Sequence, residues 1–344
     1  MANRKDVAQK ANVSMTVVSR VMSNTGYVSK EKREAVLRAA GELNYRPSPV
    51  ARSLQNGRTR QILFYRAYLS NAYYLELHRG MMDYAEKQGY LVCISGDLHI
   101  ERIGELLIDG LILPTEAYTR PGYMRYLRKY CMPHVVIDYG EHVPKNVYTV
   151  TVDTGQALEE LVRYMREKGH QRIAFVDGND IKPEGPRNTA FRSIMAGVYR
   201  GRLPEYILTA PQAGLEAYPG AFYLLGCMAA EQFSQRKLDA TAVICFNDDV
   251  AVGFYRRIVQ LGYRIPGDIS IAGFDGLIQG EYMNPALTSM GLNPFDHGKK
   301  CAQVLVELLQ GKKPGYKHRI NFSLIERESI RKLRAKNEAG KEAP

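Results

Sequence analysis

The segment Ser14–Ser29, SMTVVSRVMSNTGYVS, decides the fold of the N-terminal part of this chain of 344 residues. Its β-branched residues favour a strand, but its apolar positions do not alternate as they do in a half-buried strand. On a helix, one side carries Val18, Val21, Met22 and, less tightly, Met15, whereas the other carries Thr16, Ser19 and Arg20. The pattern therefore predicts a short helix that begins after the N-cap Ser14 and ends at Asn24–Gly26.

A helix this short is stable only when it packs against neighbours, and both flanking segments offer an apolar face. Upstream, Lys5–Asn12 carries the stripe Val7, Ala8 and Ala11, and Asn12 suits the left-handed conformation of a tight turn at Asn12–Val13. Downstream, Ser29 is expected to cap a helix from Lys30 to about Asn44, with the apolar stripe Val36, Leu37, Ala40 and Leu43. These segments predict a helix-turn-helix with a supporting third helix.

The polar side of the second helix has the chemistry of a DNA reader. In a helix-turn-helix this helix enters the major groove. Arg20 can bind a guanine bidentately, Thr16 can bond a base or a phosphate, and Met15 or Val17 can contact a thymine methyl group. The alternative is a small three-helix module whose polar face is simply solvated.

Charge and composition agree with a DNA-binding headpiece on a neutral body. The chain has a net charge of +11, and residues 1–60, with twelve Lys or Arg and four Asp or Glu, carry +8 of it. Such a basic unit is typical of a polyanion binder, although basic segments are also often solvated tails. The five widely spaced cysteines indicate neither disulfides nor zinc. Without a long apolar window or a secretory signal, the sequence predicts a cytoplasmic protein without a membrane partner.

A set of short motifs runs through the N-terminal sequence: Asp6-Val-Ala8, Val13-Ser14, Val18-Ser-Arg-Val21, Val28-Ser29, Arg33-Glu34, Leu43-Asn-Tyr-Arg-Pro47 and Ala51-Arg-Ser-Leu54. In these motifs the sequence resembles the lactose-repressor (LacI/GalR) family of bacterial transcription regulators. Arg4 and Asn12 depart from the residues usual in the family. With the resemblance, the predicted DNA-contacting residues are Lys5, Ser14, Met15, Thr16, Val17, Ser19, Arg20, Asn24, Tyr27, Ala51 and Leu54.

The segment 47–60 connects the predicted helix-turn-helix domain, residues 1–46, to the body. Two prolines begin it and Gly57 ends its possible helix, which would be marginal alone. The resemblance implies a hinge helix that folds on the operator, pairs with its dimer mate and inserts Leu54, with Ala51 beside it, into the minor groove. Leu54 could instead be a linker leucine that packs on the body.

The body, residues 61–332, alternates apolar strand-like runs with helical patterns, which predicts parallel sheets covered by helices. The seven runs are 62–65, 91–94, 110–113, 134–137, 172–176, 242–246 and 269–273. The resemblance implies a type I periplasmic-binding-protein fold, in which three crossovers join two lobes around a small-molecule cleft. Lobe 1 is expected at about 61–152 and 282–313, and lobe 2 at about 153–281 and 314–332. A polar tail, 333–344, follows without leucine heptads.

Candidate effector-binding residues stand where predicted strands end, because ligands bind beyond the carboxyl ends of parallel strands. These candidates are Ser70, Tyr73, Tyr74, Asp138, Arg187, Phe222, Asn247 and Asp275. Their Arg, Asn and Asp side chains suit sugar hydroxyls or a small anion, and the aromatic rings supply apolar faces. Alternatively, Asp275 and Asp248 cap helices and the tyrosines belong to the core. The passage 95–109 is shorter than the corresponding passage of the resembled family. A loop on the cleft side of the first lobe is therefore expected to be trimmed, so the ligand size of relatives does not carry over to this chain.

Together these features predict a homodimeric repressor of a palindromic DNA operator, controlled by a small effector, most simply a sugar or sugar derivative. A global regulator with a phosphorylated protein as coregulator is an alternative. A solute-binding protein would share the body but lack the headpiece. An enzyme is not expected, because the sequence has no Gly-x-Ser-x-Gly elbow, no phosphate-binding loop and no metal-type histidine spacing. No cofactor or metal is indicated.

Overall fold

The computed structural model of the protein describes residues 2–46, 57–66, 71–96, 99–141, 143–178, 185–209 and 221–333. The chain divides into two compact units. The first comprises residues 1–60 with 107–109, and the second comprises residues 61–106 with 110–344. Most of the predicted hinge segment, including Ala51 and Leu54, lies outside the described residues, as do Ser70 and most of the polar tail.

The first unit contains the three predicted helices. They are α1 (Arg4–Lys10), α2 (Met15–Ser23) and α3 (Lys30–Glu42). Their small core is made by Val7, Ala8, Val18, Val21, Val36, Ala39 and Ala40. Asn12 turns the chain between α1 and α2 at a φ of 50°, and Asn24 ends α2 at a φ of 53°. Both positions need the left-handed conformation, which asparagine adopts more readily than most residues.

Two details of the third helix differ from the prediction. Leu37 is 52% exposed, because the core takes Ala39 and Ala40 from the neighbouring positions of the helix. Ser29 occupies the N-cap position of α3, but its side chain makes no capping hydrogen bond. Asn3, in contrast, forms a capping box with Asp6 at the start of α1, a cap that the sequence reading missed.

The first sheet of the second unit has six parallel strands. They are β1 (Gln61–Tyr65), β2 (Leu91–Ser95), β3 (Gly110–Pro114), β4 (His134–Asp138), β5 (Thr149–Thr151) and β11 (Lys317–Arg319). Their order across the sheet is β11-β5-β4-β3-β1-β2. The helices of this lobe are α4 (Ala72–Ala85), α5 (Thr115–Tyr118), α6 (Tyr123–Lys129) and α11 (Pro294–Leu309).

The second sheet also has six strands. They are β6 (Ile173–Val176), β7 (Ile207–Leu208), β8 (Ala242–Cys245), β9 (Ser270–Asp275), β10 (Thr288–Gly291) and β12 (Ser323–Ile325). Their order is β12-β10-β9-β8-β6-β7, and all pairs are parallel except β10 with β12. The helices of this lobe are α7 (Thr154–Glu167), α8 (Pro186–Tyr199), α9 (Ala221–Gln235) and α10 (Asp248–Gln260). The predicted fold class of two parallel-sheet lobes behind a helical headpiece is confirmed.

The sheets place two crossovers differently from the predicted lobe boundaries. The strand β10, expected in lobe 1, pairs in parallel with β9 of the second sheet, and β11, expected in lobe 2, pairs with β5 of the first. The chain therefore crosses between β5 and α7, between β10 and α11, and between β11 and β12. Strands of three or four residues carry too little apolar sequence to indicate which sheet they join.

Close helix packing supports the first lobe. At Gly80 of α4, an added Cβ atom would lie 1.9 Å from the carbonyl oxygen of Phe295 at the start of α11. Gly298 of α11 approaches Leu77 of α4 equally closely. The short passage between β2 and β3 holds a 3₁₀ helix, Ile100–Glu105. Other 3₁₀ helices are Glu86–Gln88, Leu203–Tyr206 and Ile278–Tyr282.

Candidate nucleic-acid interface and effector site

The second helix of the headpiece is fixed by its apolar side. Val18 is fully buried and Val21 is 4% exposed, and both belong to the three-helix core. The Ser14 hydroxyl accepts a hydrogen bond from Val17 N at 3.4 Å, which confirms the predicted N-cap. The opposite side of α2 is consequently held towards solvent.

The exposed side of α2 contains most of the predicted base-contacting residues. Met15 is 55% exposed, and Thr16 and Arg20 are also exposed. Ser19 is half-buried, and its carbonyl oxygen accepts a hydrogen bond from the Ser23 hydroxyl at 2.7 Å. Val17 is half-buried against the headpiece core, so less of its side chain is available to a base than the prediction assumed.

Three further predicted contacts lie around α2. Lys5 is exposed in the first turn of α1. Tyr27 is 89% exposed, a large aromatic surface that the headpiece itself leaves uncovered. The Asn24 side-chain oxygen accepts a hydrogen bond from Arg33 Nη1 at 2.9 Å, so this amide also joins α2 to α3.

Arg187 is the centre of the candidate effector site. It lies in the first turn of α8, and its Nη1 donates a hydrogen bond to the carbonyl oxygen of Phe246. Its guanidinium carbon is 3.8 Å from the centroid of the Phe246 ring and 5.1 Å from that of Phe274. Burial lowers the pKa of Arg187, whereas the nearby Asp275 carboxylate raises it. Arg187 is half-buried, and a guanidinium between aromatic rings is suited to hold an acceptor group of a ligand.

Asp275 ends β9 beside Arg187 and is 6% exposed. Burial raises its pKa well above the ordinary value, and the carboxylate of Asp248 raises it further. Arg187 and a hydrogen bond from Asn71 act in the opposite direction. Since Asn71 belongs to the first lobe, this aspartate lies where the two lobes meet.

Asp248 organises the turn that carries Asp275, rather than capping a helix with its side chain. Its carboxylate accepts hydrogen bonds from Leu277 N at 2.7 Å and from the Ser289 hydroxyl at 2.6 Å. Ser289 also accepts a hydrogen bond from Gly276 N at 3.0 Å. The chain passes through Asp275 at a φ of 119°, a conformation that needs such support in a residue other than glycine.

The two predicted tyrosines lie on the first-lobe side of the site. Tyr73 is 3% exposed, and its ring meets the ring of Tyr74 edge-on, with 5.5 Å between centroids. Both rings are close enough to Arg187 to affect its pKa. Tyr73 is thus buried like a core residue and also lies beside the effector-site residue Arg187. The two alternatives, a core tyrosine and an effector-site tyrosine, are therefore compatible.

Of the remaining predicted effector residues, Asp138 and Asn247 make hydrogen bonds within their own turns, and Phe222 packs near Arg187. The Asp138 carboxylate accepts hydrogen bonds from Gly140 N, Glu141 N and the Thr151 hydroxyl. The Asn247 side chain caps α10 by accepting a hydrogen bond from Val250 N at 2.8 Å. Phe222 stacks on Phe246, with 6.1 Å between ring centroids, and so extends the aromatic wall at Arg187.

Several residues that the sequence reading did not select lie in the same region. Phe246 and Phe274 border Arg187, and Tyr139 lies 6.1 Å from Tyr73 between ring centroids. Arg66, directly after β1, stacks on Tyr74 at 4.0 Å. A signal for Arg66 was present, because it is the charged residue that ends the apolar run 62–65.

Among the described helices, none combines the length and apolarity needed to cross a membrane. The described residues also contain no group of three or more His, Cys, Asp or Glu side chains arranged to hold a metal ion.

Two family models match the chain. Residues 4–48 match the model for bacterial regulatory proteins of the lacI family, and residues 162–330 match a periplasmic binding protein-like domain. The first match covers α1 to α3, and the second covers most of the second lobe and part of the crossover region.

Similarity also extends over the full chain. The HTH-type transcriptional repressor PurR of Vibrio atlanticus is 31% identical, covering 97% of this chain and 100% of that protein. The structure of the Lac repressor dimer bound to operator and the anti-inducer ONPF has a TM-score of 0.73 at 22% identity, covering 96% and 99% of the two chains. A complex of the transcriptional regulator CelR with cellobiose has a TM-score of 0.67 at 23% identity, covering 96% and 100%. The chain therefore belongs to the lacI family of bacterial regulatory proteins and is a transcriptional repressor, not an enzyme.

Proposed function

We propose that this repressor binds a palindromic DNA operator as a homodimer. A small sugar-like molecule in the interlobe site would change its affinity for the operator, either lowering it as an inducer or raising it as a corepressor. The observation that carries the proposal is the second helix, whose buried valines hold Thr16 and Arg20 towards solvent. Two such helices, related by a two-fold axis, would read two half-sites of opposite direction. A repressor that acts on the chromosome would work in the cytoplasm.

Specificity would come from the exposed side of α2. Arg20 can donate two hydrogen bonds to a guanine, and Thr16 and Met15 offer a hydroxyl and an apolar contact beside it. The exposed cations of the headpiece, such as Lys5, would bind phosphates and add affinity without sequence preference. The hinge segment would add Leu54 as a minor-groove wedge.

The interlobe site supports an effector with a polar ring. Arg187 offers donors and Asp275 a carboxyl group, while Tyr74, Phe222 and Phe246 offer ring faces. Sugars combine hydroxyl groups with apolar ring faces in this way. The CelR regulator, which shares the fold, was solved with cellobiose, and this supports a carbohydrate ligand. A nucleobase is the competing outcome, because a planar heterocycle also fits aromatic walls and an Arg–Asp pair.

Control of DNA binding would follow from the position of the site between the lobes. The residues that surround it come from both lobes, since Tyr73 and Tyr74 begin α4 whereas Arg187 and Asp275 belong to the second lobe. A ligand that binds one lobe arrangement more tightly shifts the population towards it, typically with about 1–3 kcal/mol of coupling. The hinge helices of the dimer would then pair or separate.

A homodimer is supported by exposed apolar side chains on the second unit. Leu75, Met228, Val259, Ile278 and Tyr282 are between 36% and 77% exposed. We propose that a second copy of the chain covers some of these side chains, since the Lac repressor of the same fold was solved as a dimer on its operator. Sedimentation of the purified protein is expected to give a dimer, and a monomer at micromolar concentration would contradict this part of the proposal.

The main experiment is selection of the purified protein on random duplex DNA, with and without metabolites. The expected product is a palindrome, and binding without preference for any duplex would refute the proposed function. Thermal-shift screening against sugars and nucleobases then identifies the effector, because a ligand that binds the folded state raises its melting temperature.

A further inference from the structure

We propose that the first lobe carries a subsite for an acidic group of the effector, a carboxylate or a phosphate, built from Arg66, Tyr73 and Tyr139. The proposal rests on the proposed function, since it defines the chemistry of one end of the molecule held between the lobes. Arg66 directly follows β1 and thus stands at the carboxyl end of that strand. This is the edge of a parallel sheet where ligands bind.

The Arg66 guanidinium is held in one orientation. Its Nη1 pairs with the carboxylate of Glu116, which lies in α5 directly after β3. Its guanidinium carbon lies 4.0 Å from the centroid of the Tyr74 ring, and the side chain is 12% exposed. Within the described part of the chain, the buried Nε has no hydrogen-bond partner. A buried donor without a partner destabilises the fold, so a ligand acceptor that bonds to this Nε–H would remove that cost.

Two buried tyrosine hydroxyls lie in the same region. Among the described residues, the hydrogen-bonding contact that acts on the hydroxyls of Tyr73 and Tyr139 is the one they make with each other, and no other group bonds to either. Burial raises the pKa of both tyrosines well above the ordinary value. Both hydroxyls therefore stay protonated at neutral pH and can donate a hydrogen bond.

Charged residues of both places lie near these hydroxyls, so the subsite adjoins the interlobe site. Arg66 is near enough to Tyr139 to act on its pKa, and Asp275 and Arg187 act on the pKa of Tyr73. The rings of Tyr73 and Tyr139 are 6.1 Å apart between centroids. The two tyrosines thus span the distance between Arg66 and the Arg187–Asp275 pair.

The donors define the class of group that would bind. An arginine Nε–H cannot accept a hydrogen bond, and it belongs to the guanidinium edge that holds carboxylates and phosphates through parallel hydrogen bonds. Glu116 uses Nη1 and leaves Nε to the ligand. An oxyanion can accept from Nε and from a tyrosine hydroxyl and brings no proton of its own, whereas a sugar hydroxyl would also need an acceptor for its proton, which Arg66 cannot provide.

Glu116 sets the strength of this subsite. Its carboxylate balances the charge of Arg66, so the subsite discriminates mainly through hydrogen bonds and binds free anions only weakly. Removing that charge in Glu116→Gln keeps a side chain that can accept from Arg66. We expect the variant to bind oxyanions more tightly than the wild type.

The test measures the melting temperature of the full chain in potassium phosphate and in potassium acetate against potassium chloride at equal ionic strength. Phosphate and acetate separate the two oxyanion classes. The wild type should be stabilised by at least one of them, and Arg66→Gln and Tyr139→Phe should lose the part of the shift that comes from this subsite. Glu116→Gln should show a larger shift. Any phosphate that binds to the basic headpiece would contribute equally to all variants, because the headpiece is the same in each.

Arg79→Gln is the matched control. Arg79 also stacks on an aromatic ring, that of Phe295 at 5.2 Å, and also pairs with a glutamate, Glu76 at 3.3 Å, but it lies on the exposed side of α4. It should keep the wild-type shifts. Equal shifts in the wild type, Arg66→Gln and Tyr139→Phe would overturn the subsite. Operator binding by these variants is measured in parallel, so a protein that binds no operator but keeps an Arg66-dependent shift would refute the repressor mechanism and leave the subsite standing.

Discussion

Arg20 is the one charged side chain of α2, and the aliphatic part of its side chain packs against the turn at Gly26. A Cβ atom added at Gly26 would lie 3.5 Å from Arg20 Cδ, and Gly26 has a φ of 67°, so this turn passes close beneath the arginine stem. The side chain is therefore supported while its guanidinium stays exposed.

At the residue scale, Arg20→Ala should relax the base preference of the protein. Losing a bidentate contact to guanine typically costs about 1–3 kcal/mol of discrimination, whereas phosphate contacts remain. The measurement is competition binding with the selected operator and with single-base variants. Arg38→Ala, an exposed arginine on α3, is the control and should keep the wild-type order of sites. A variant of Arg20 that ranks the sites as the wild type does would contradict the docking of α2.

Asp248 predicts a pH dependence of stability. Burial raises the pKa of Asp248 to about 7 from 3.8, while hydrogen bonds from Ser289 and Leu277 and the charge of Arg327 act in the opposite direction. Between these two values the folded state keeps a proton that the unfolded state releases. The contribution of Asp248 to the free energy of unfolding is thus largest below about pH 4, and it decreases as the pH rises to about 7.

Asp248→Asn should flatten that slope, because an amide does not ionise. Its oxygen can still accept from Leu277 N, and its NH2 group can donate to the Ser289 hydroxyl. The check is denaturant unfolding at several pH values between 4 and 8. Asp249, Asp275 and Arg327 face the same group and remain in the variant. Asp268→Asn is the contrast, because hydrogen bonds from Arg264 lower the pKa of Asp268 from 3.8 and its contribution to stability is already complete above that value. This variant should lose stability equally across pH 4 to 8 and leave the slope unchanged. Parallel curves for wild type and Asp248→Asn would disprove the assignment.

At the scale of the element, the caps of α1 and α3 differ although both helices begin after a polar residue. The Asn3 side chain accepts hydrogen bonds from Lys5 N at 2.8 Å and from Asp6 N at 3.2 Å, and Asp6 accepts one from Asn3 N at 2.8 Å. Ser29 makes no such bond. The capping box thus fixes the first turn of the headpiece, whereas α3 is held by its buried face.

Asn3→Ala should therefore destabilise the headpiece by about 1 kcal/mol, the usual cost of losing an N-cap. Ser29→Ala is the matched control and should change its stability little. Hydrogen exchange of the amides in α1 to α3, measured on the full chain, reports this difference without isolating the headpiece. Equal protection in both variants would show that the box contributes nothing.

The hinge segment yields the second prediction for an element. Leu54→Ala should weaken tight binding to the selected operator and leave binding to unrelated DNA nearly unchanged, because an intercalating wedge acts only in the bent, specific complex. Quantitative footprinting on both kinds of duplex measures this. A loss of affinity that is the same for both duplexes would assign Leu54 to general stability instead.

At the scale of the whole molecule, the effector response depends on residues from two lobes. Arg187→Lys should reduce the affinity for an identified effector by about tenfold or more, since lysine replaces a planar guanidinium by a single ammonium group. Operator binding without effector should persist. Calorimetric titration and operator binding are measured on the same preparation, with Arg257→Lys as control, because Arg257 pairs with Glu231 between α9 and α10. Unchanged effector affinity in Arg187→Lys would remove Arg187 from the site.

The lobes were only partly predictable at this scale. Seven strands with apolar runs were expected where they occur, but five strands with little apolar sequence were not: β5, β7, β10, β11 and β12. Their sheet membership depends on pairing with distant strands, such as β11 with β5 and β10 with β9. The predicted crossovers near 281 and 313 were therefore wrong.

The local sequence by itself determined the headpiece. Valines at helical spacing, left-handed asparagines and the N-cap Ser14 are interactions within a few residues, so their pattern specifies α2 and the side of α2 that is buried. The tertiary structure alone decided the effector site, because residues far apart in sequence meet there. Only the folded chain shows that the side chains of Asp138 and Asn247 bond within their own turns and that Asp248 supports the turn at Asp275. The same holds for Arg66, which stacks on Tyr74 and has a buried Nε without a hydrogen-bond partner among the described residues.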